Sequence, residues 1–389
     1  MNKANKNIIL GIVIILIIGA IYFIESSKPS APSGTGISIA LPPNQSATST
    51  IAPTGAQKSA DRTQIIKQKS LRYPPAVEII PGGQFINSQP FKLQDLIGKK
   101  VILVDFWTYT CINCLRTLPY LEAWDAKYKD QGLVIVGIHS PEFDFEKDYN
   151  NVLDAVKKLG VKYPVVQDNN HTTWDAYQNQ YWPAEYLIDI DGYITDTHFG
   201  EGSYAETEQK IQAALKERDQ VLGLSDTVPM GIVNPADTVV VNPTEALSPE
   251  TYFGAGRNEY LGNGTKGAIG VQQLSIPSTI KDSSLYLDGE WNFQSEFAKN
   301  TATGAKIVYK YNAKNVYLVA RADIAVKIAV LLDGKLVGRE RGTDVSTDGT
   351  VIIKENRLYK LIQDSDYREH TLEIIINNSG LEAYTFTFG

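Results

Sequence analysis

Val101-Ile102-Leu103-Val104-Asp105-Phe106-Trp107-Thr108-Tyr109-Thr110-Cys111-Ile112-Asn113-Cys114 joins an almost wholly apolar run to a C-x-x-C. The run predicts a strand over 101–107 that is buried on both faces, followed by a helix from Cys111 to about Lys129. Cys111 and Cys114 are the only two cysteines among 389 residues. Two thiols one helical turn apart can close a small ring. The first sits at a helix N-terminus, where unpaired N–H groups and the dipole favour a thiolate. This pattern reads as a redox dithiol. A structural zinc site needs about four ligands, and His139, His171, His198 and His370 show no paired spacing. Leu115 stands where covalent haem attachment needs histidine. A purely structural bridge this local would remove little entropy from the unfolded chain. No metal or other cofactor is expected.

The N-terminus supplies the compartment. Lys3 and Lys6 precede IILGIVIILIIGAIYFI at 8–24, a run of roughly 17 residues at the lower end of what spans a bilayer. Its positive flank predicts a single-pass anchor over 1–24 with a cytoplasmic N-terminus and everything downstream outside the cytoplasm. A cleaved signal peptide is the competing reading, but no A-x-A-like site follows. Residues 25–72, rich in Ser, Pro and Thr toward their start, read as a flexible tether. The net charge of −7 is spread without long runs of one sign, which excludes the basic face that nucleic-acid binding needs.

The remainder is too long for one typical core. A cluster of prolines and turn residues, DTVPMGIVNPADTVVVNPTEALSP, separates two differently patterned regions. The expected division is a redox domain over 73–222, a linker over 223–246 and a second domain over 247–389. In the first domain strands and helices alternate. A hairpin with a short helix is expected over 83–96, strands at 133–138 and 163–166, and a strand pair at 185–190 and 193–198 around Asp191-Gly192. Helices are expected at about 146–159 and 206–218. From Leu247 short alternating runs separated by turns predict an antiparallel β-sandwich.

At this point the chain resembles the thioredoxin superfamily. Asp105, six residues before Cys111, matches the buried acid of thioredoxins. Trp107 matches the aromatic beside the dithiol, and Pro119 the proline inside the active-site helix. Trp182-Pro183 matches the loop where a cis-proline faces the dithiol. The resemblance implies that Cys111 and Cys114 form the redox-active disulfide, that Asp105 exchanges a proton with Cys114, and that Trp182, Pro183 and Trp107 bind substrate. A strand-end acid at Asp105 and a trans proline at 183 are the plainer alternatives.

WTYTCINCLRTLPYL, HSPEFDFEKD, YPVVQDNN, WDAYQNQYWPAEYLIDIDG and HFGEG are similar to the soluble part of DipZ-type and TlpA-like proteins. In DipZ-type proteins a CcdA-like transporter precedes a thioredoxin-like domain and a carbohydrate-binding-like, jelly-roll domain. Here a single anchor replaces the transporter, so the resemblance implies a separate CcdA- or DsbD-like membrane electron donor and protein disulfides as substrates. Thr117 stands where cytochrome-c-maturation relatives often carry an acid. No histidine lies between the cysteines, which favours reductase over oxidase. Arg116 is read either as lowering the first thiol's pKa or as solvated. His139 and Glu142 are read as stabilising their loop, with tuning or shuttling of protons as the alternative.

Thr108, three residues before Cys111, leaves thiol peroxidase as an alternative, although Val104 occupies that family's proline position. For the second domain three roles stand open: binding a cell-envelope glycan, docking a redox partner, or packing on the first domain. Tyr252, Trp291, Tyr359 and Tyr384 are the aromatics available for stacking on sugars. A glycan-binding protein with an auxiliary redox domain is the alternative function.

Overall fold

The structure is a computed structural model and describes residues 55–389 apart from 226, 237, 240–244, 246 and 247. The expected anchor and the first part of the expected tether lie outside the described residues. Among the described residues no helix is long and apolar enough to cross a membrane.

The expected tether is not extended throughout. Helix α1 occupies Gly55–Arg72. Lys69 holds it in place, placing its ammonium 2.6 Å from Asp189, 2.8 Å from Asp191 and 2.5 Å from Glu217. Arg62 also pairs with Glu217 and Asp191. A helix whose own sequence shows little periodicity is thus fixed by tertiary ion pairs.

The first sheet contains β1 (Phe85–Ile86), β2 (Val101–Trp107), β3 (Leu133–His139), β4 (Val165–Gln167), β5 (Ala184–Ile188) and β6 (Ile194–Phe199). Its order is β1-β4-β3-β2-β5-β6. β2, β3 and β4 run parallel and the other pairings are antiparallel. All seven residues of β2 are buried, as a central strand covered on both faces requires. Residues 83–96 do not form a hairpin: β1 pairs with β4 instead. The helices are α2 (Ile112–Tyr128), α3 (Tyr149–Leu159), α4 (Thr172–Ala176) and α5 (Tyr204–Leu222). Asp148 caps α3 by accepting from the backbone of Asn150 and Asn151, and Gly160, at φ 77°, ends it in the left-handed region.

Beyond α5 the expected linker is partly strapped down. Val228 is buried in the first core, and the N–H of Val233 donates to Glu208 at 2.7 Å.

The C-terminal half holds β7 (Thr251–Tyr252), β8 (Gly270–Leu274), β9 (Leu285–Phe293), β10 (Ala298–Asn300), β11 (Lys306–Arg321), β12 (Val326–Leu332), β13 (Lys335–Leu336), β14 (Thr350–Ile353), β15 (Arg357–Ile376) and β16 (Glu382–Phe388). The named strands pair antiparallel throughout. They form one hydrogen-bonded sheet rather than two separate ones. The reason lies in two long strands. β11 pairs with β9 over 306–309 and with β16 over 316–321, while β15 follows it along the other edge through irregularities between Ala313 and Tyr317. These carry the ladder around a bend, and the inner face encloses its own core, including Trp291, Phe293, Tyr309, Leu318 and Phe386.

A bulge in β16 joins the two halves. Val319 faces Thr385, but Ala320 faces Ala383, so Tyr384 is skipped. Ala383 turns into the C-terminal core while Tyr384 enters the core of the first sheet. There its ring meets Phe143 at 5.0 Å and Phe145 at 4.9 Å.

Candidate active site

Cys111 is the N-cap of α2, and its sulfur accepts from the Cys114 backbone N–H at 3.2 Å. Both thiols are free; Cys111 is part-exposed and Cys114 buried. Burial first, and then the Cys111 sulfur, push the Cys114 thiol well above its ordinary range. The pair is therefore unequal: one sulfur can meet a substrate, and the other is held protonated behind it. Pro119 lies inside α2, where it donates no backbone hydrogen bond.

Asp105 lies under the dithiol on β2, between Gly137 of β3 and Glu185 of β5. It is 1% exposed, and among the described residues neither carboxylate oxygen has a hydrogen-bond partner. Burial alone pushes its carboxyl up to about 8. A Cβ on Gly137 would lie 2.8 Å from the Trp107 indole nitrogen and 3.2 Å from the Tyr163 ring. The glycine thus admits two large rings beside the acid.

Trp107, expected to bind substrate, has no exposed surface and is stacked edge-on against His139 at 5.4 Å. As the last residue of a strand buried on both faces, it packs beneath the dithiol instead. Trp182 lines the same cleft as Cys111, and Pro183 follows it. Their peptide bond is cis, and the Trp182 indole donates to the Ser140 carbonyl at 3.1 Å while packing on Trp174 at 4.3 Å.

Cys111 and Trp182 open into a cleft of about 330 Å³ whose far wall is the C-terminal sheet, with Glu250, Tyr252 and Arg257. Glu142 spans the seam. It accepts from the Tyr252 hydroxyl and the Arg257 guanidinium, each at 2.8 Å, and Arg257 lies 3.7 Å over the Tyr252 ring. A second cavity of about 360 Å³, between α3 and residues 354–358, contains no thiol.

The neighbouring side chains hold the loop. Burial lowers His139 to about 3, so its imidazole is neutral, and its Nε2 lies 3.3 Å from the Thr108 hydroxyl. Glu146, raised to about 7 by burial, accepts from Thr110 at 2.5 Å and from the backbone of Glu142 and Phe143. Arg116 is neither solvated nor aimed at Cys111. It is buried, paired with Glu201 at 2.9 Å and set against the Tyr317 ring of β11. Of the four aromatics available for sugar, Trp291, Tyr359 and Tyr384 are buried and Tyr252 is covered by Arg257.

Sequence reasoning missed Glu146, Arg257 and Glu185. Glu185 had a visible signal, an acid inside the apolar strand AEYLI, where an ion is costly to bury. Arg257 had none, because its meeting with Glu142 joins residues 115 positions apart.

Both halves of the chain match known families. The Redoxin family matches residues 83–215, and a family described as a thioredoxin-like C-terminal domain matches 248–389. Protein DipZ of Mycobacterium tuberculosis is 35% identical over 303 residues, which cover 78% of this chain and 41% of that protein. The chain therefore spans about two fifths of the length of its DipZ relatives. Thiol-disulfide oxidoreductase ResA of Bacillus thuringiensis is 30% identical over 132 residues, 34% of this chain and 70% of that one. A solution structure of a thioredoxin-like protein in its oxidised form is 26% identical, covering 37% of this chain and 97% of that protein with a TM-score of 0.35.

Proposed function

Because this chain belongs to the thioredoxin-like thiol–disulfide oxidoreductases, we propose that it reduces protein disulfides through a mixed disulfide on Cys111. The Cys111 thiolate attacks one substrate sulfur; a new S–S bond forms and the other substrate sulfur leaves as a thiolate. Asp105, once it has given up its own proton, takes that of Cys114 as Cys114 attacks the Cys111 sulfur. The Cys111–Cys114 bond closes, the substrate leaves with both sulfurs reduced, and the dithiol has lost two electrons. Trp182 and Pro183 hold the substrate strand in the cleft. A CcdA- or DsbD-like membrane protein returns the two electrons.

The observation that carries this reading is the unequal pair: an accessible Cys111 at a helix N-terminus and a buried Cys114 above a sealed carboxylate. The apolar run at 8–24 supports an anchor with the dithiol outside the cytoplasm, and the bent C-terminal sheet is read as a jelly-roll-like module that walls the cleft.

Equilibration in thiol buffers tests the direction. A reduction potential near −270 mV makes the protein a reductant, and one near −120 mV makes it an oxidant. Cys111→Ser abolishes turnover, whereas Cys114→Ser traps substrate as a mixed disulfide on Cys111, visible by mass spectrometry. Turnover surviving Cys111→Ser would sink the mechanism.

A further inference from the structure

Glu185 stands in a row that the mechanism does not use. In register it lies directly opposite Asp105 of β2 on one side and His198 of β6 on the other. Residues directly opposite in antiparallel pairs point to the same face, with Cβ atoms about 4.5–5.5 Å apart. That face is the Cys114 side, since Leu103 and Leu187, two residues along from Asp105 and Glu185, share a core with Cys114. β6 is the last strand of the sheet, so the row runs from beneath the dithiol to an edge.

Its polar atoms are unspent. Both Asp105 oxygens, Glu185 Oε2 and His198 Nε2 are buried without a partner among the described residues, so the three side chains are aligned by register but not hydrogen-bonded to one another through these atoms. Each such atom costs about 1–3 kcal/mol. Glu185 is 3% exposed, while His198 is part-exposed. Burial, and then the charges of Asp105 and Asp196, hold the Glu185 carboxyl well above the ordinary range. Other titratable groups near the row are Cys114 from α2, Tyr163 from the segment before β4, Tyr204 of α5, and Asp196 of β6, which pairs with Lys210 at 2.9 Å.

Asp105 has a problem that this row solves. Sealed from water and protonated below about pH 8, it must lose its own proton before it can take that of Cys114. We propose that Asp105, Glu185 and His198 form a proton conduit from Cys114 to the sheet edge. Glu185 passes its proton to His198 and receives that of Asp105; the ionised Asp105 then accepts the Cys114 proton as Cys114 attacks. Each group returns to its starting state once His198 releases a proton to water. Glu185 and His198 touch neither substrate nor dithiol; they are positioning residues that act through Asp105. The inference rests on the proposed roles of Cys114 and Asp105.

The test uses 5,5′-dithiobis(2-nitrobenzoate) on the reduced protein in stopped flow. Attack by Cys111 releases the first thionitrobenzoate, and attack by Cys114 releases the second. In Glu185→Gln and His198→Ala the first release is unchanged and the second slows about tenfold between pH 6 and 8. Glu185→Asp restores most of the rate. Added imidazole rescues His198→Ala in proportion to its concentration and leaves the parent protein unaffected. Second-phase rates within twofold of the parent in both variants, with Asp105→Asn slow, overturn the conduit and leave Asp105 as acceptor. Slow phases that imidazole and Glu185→Asp fail to restore overturn it too, marking a packing role. A second phase unaltered in Asp105→Asn removes the acceptor reading beneath it.

Discussion

At the scale of single residues, the chemistry rests on a carboxylate that the fold makes uncomfortable. Asp105 was named through the resemblance to thioredoxins; its lack of partners was not legible, since that depends on which strands lie beside it. The cost has a sign. A carboxyl raised to about 8 in the native state, against about 3.9 unfolded, leaves the native protein holding the extra proton between those values. Stability therefore falls as pH rises through that window. Asp105→Asn removes this loss. Urea unfolding should show variant and parent alike near pH 4, with the variant gaining by up to about 1.4 kcal/mol per pH unit toward pH 8. A gap that stayed constant with pH would show that Asp105 ionises normally.

At the scale of elements, local patterning explains the strands and capped helices better than it explains their attachments. β2 was readable from its apolar run; α3 was expected from about residue 146, about three residues before the start that the Asp148 cap sets. Helix α1 was not, because what fixes it is Lys69 reaching three acids from two distant segments. Lys69→Met leaves Asp189, whose side chain is 1% exposed, without its cation. The expected loss is about 3 kcal/mol in denaturant unfolding, together with faster tryptic cleavage around α1. Unchanged stability and cleavage would mean that the ion pairs do not hold the helix.

At the scale of the whole molecule, the two halves share a core. Tyr384 is 3% exposed and belongs to the first sheet's cluster although it is carried by the second sheet. Tyr384→Ala should cost about 3–5 kcal/mol and split one calorimetric transition into two, the halves then melting separately. One transition at an unshifted temperature would show that the contact is incidental. The same seam walls the dithiol cleft, so the C-terminal sheet contributes to the active site as well as to stability.

The amino-acid sequence by itself determined the dithiol pattern, its strand–turn–helix setting and the change to β patterning after the proline cluster. All of these are local: they follow from periodicity, spacing and the propensities of a few neighbouring residues. Only the tertiary structure decided that Trp107 lies beneath the site rather than in it. It also joined the C-terminal strands into one bent sheet, turned Tyr384 outward through a bulge, and aligned Glu185 with Asp105 and His198. The physical reason is register: a one-residue slip or bulge sends a side chain to the opposite face, and register is set by contacts between segments far apart in the chain.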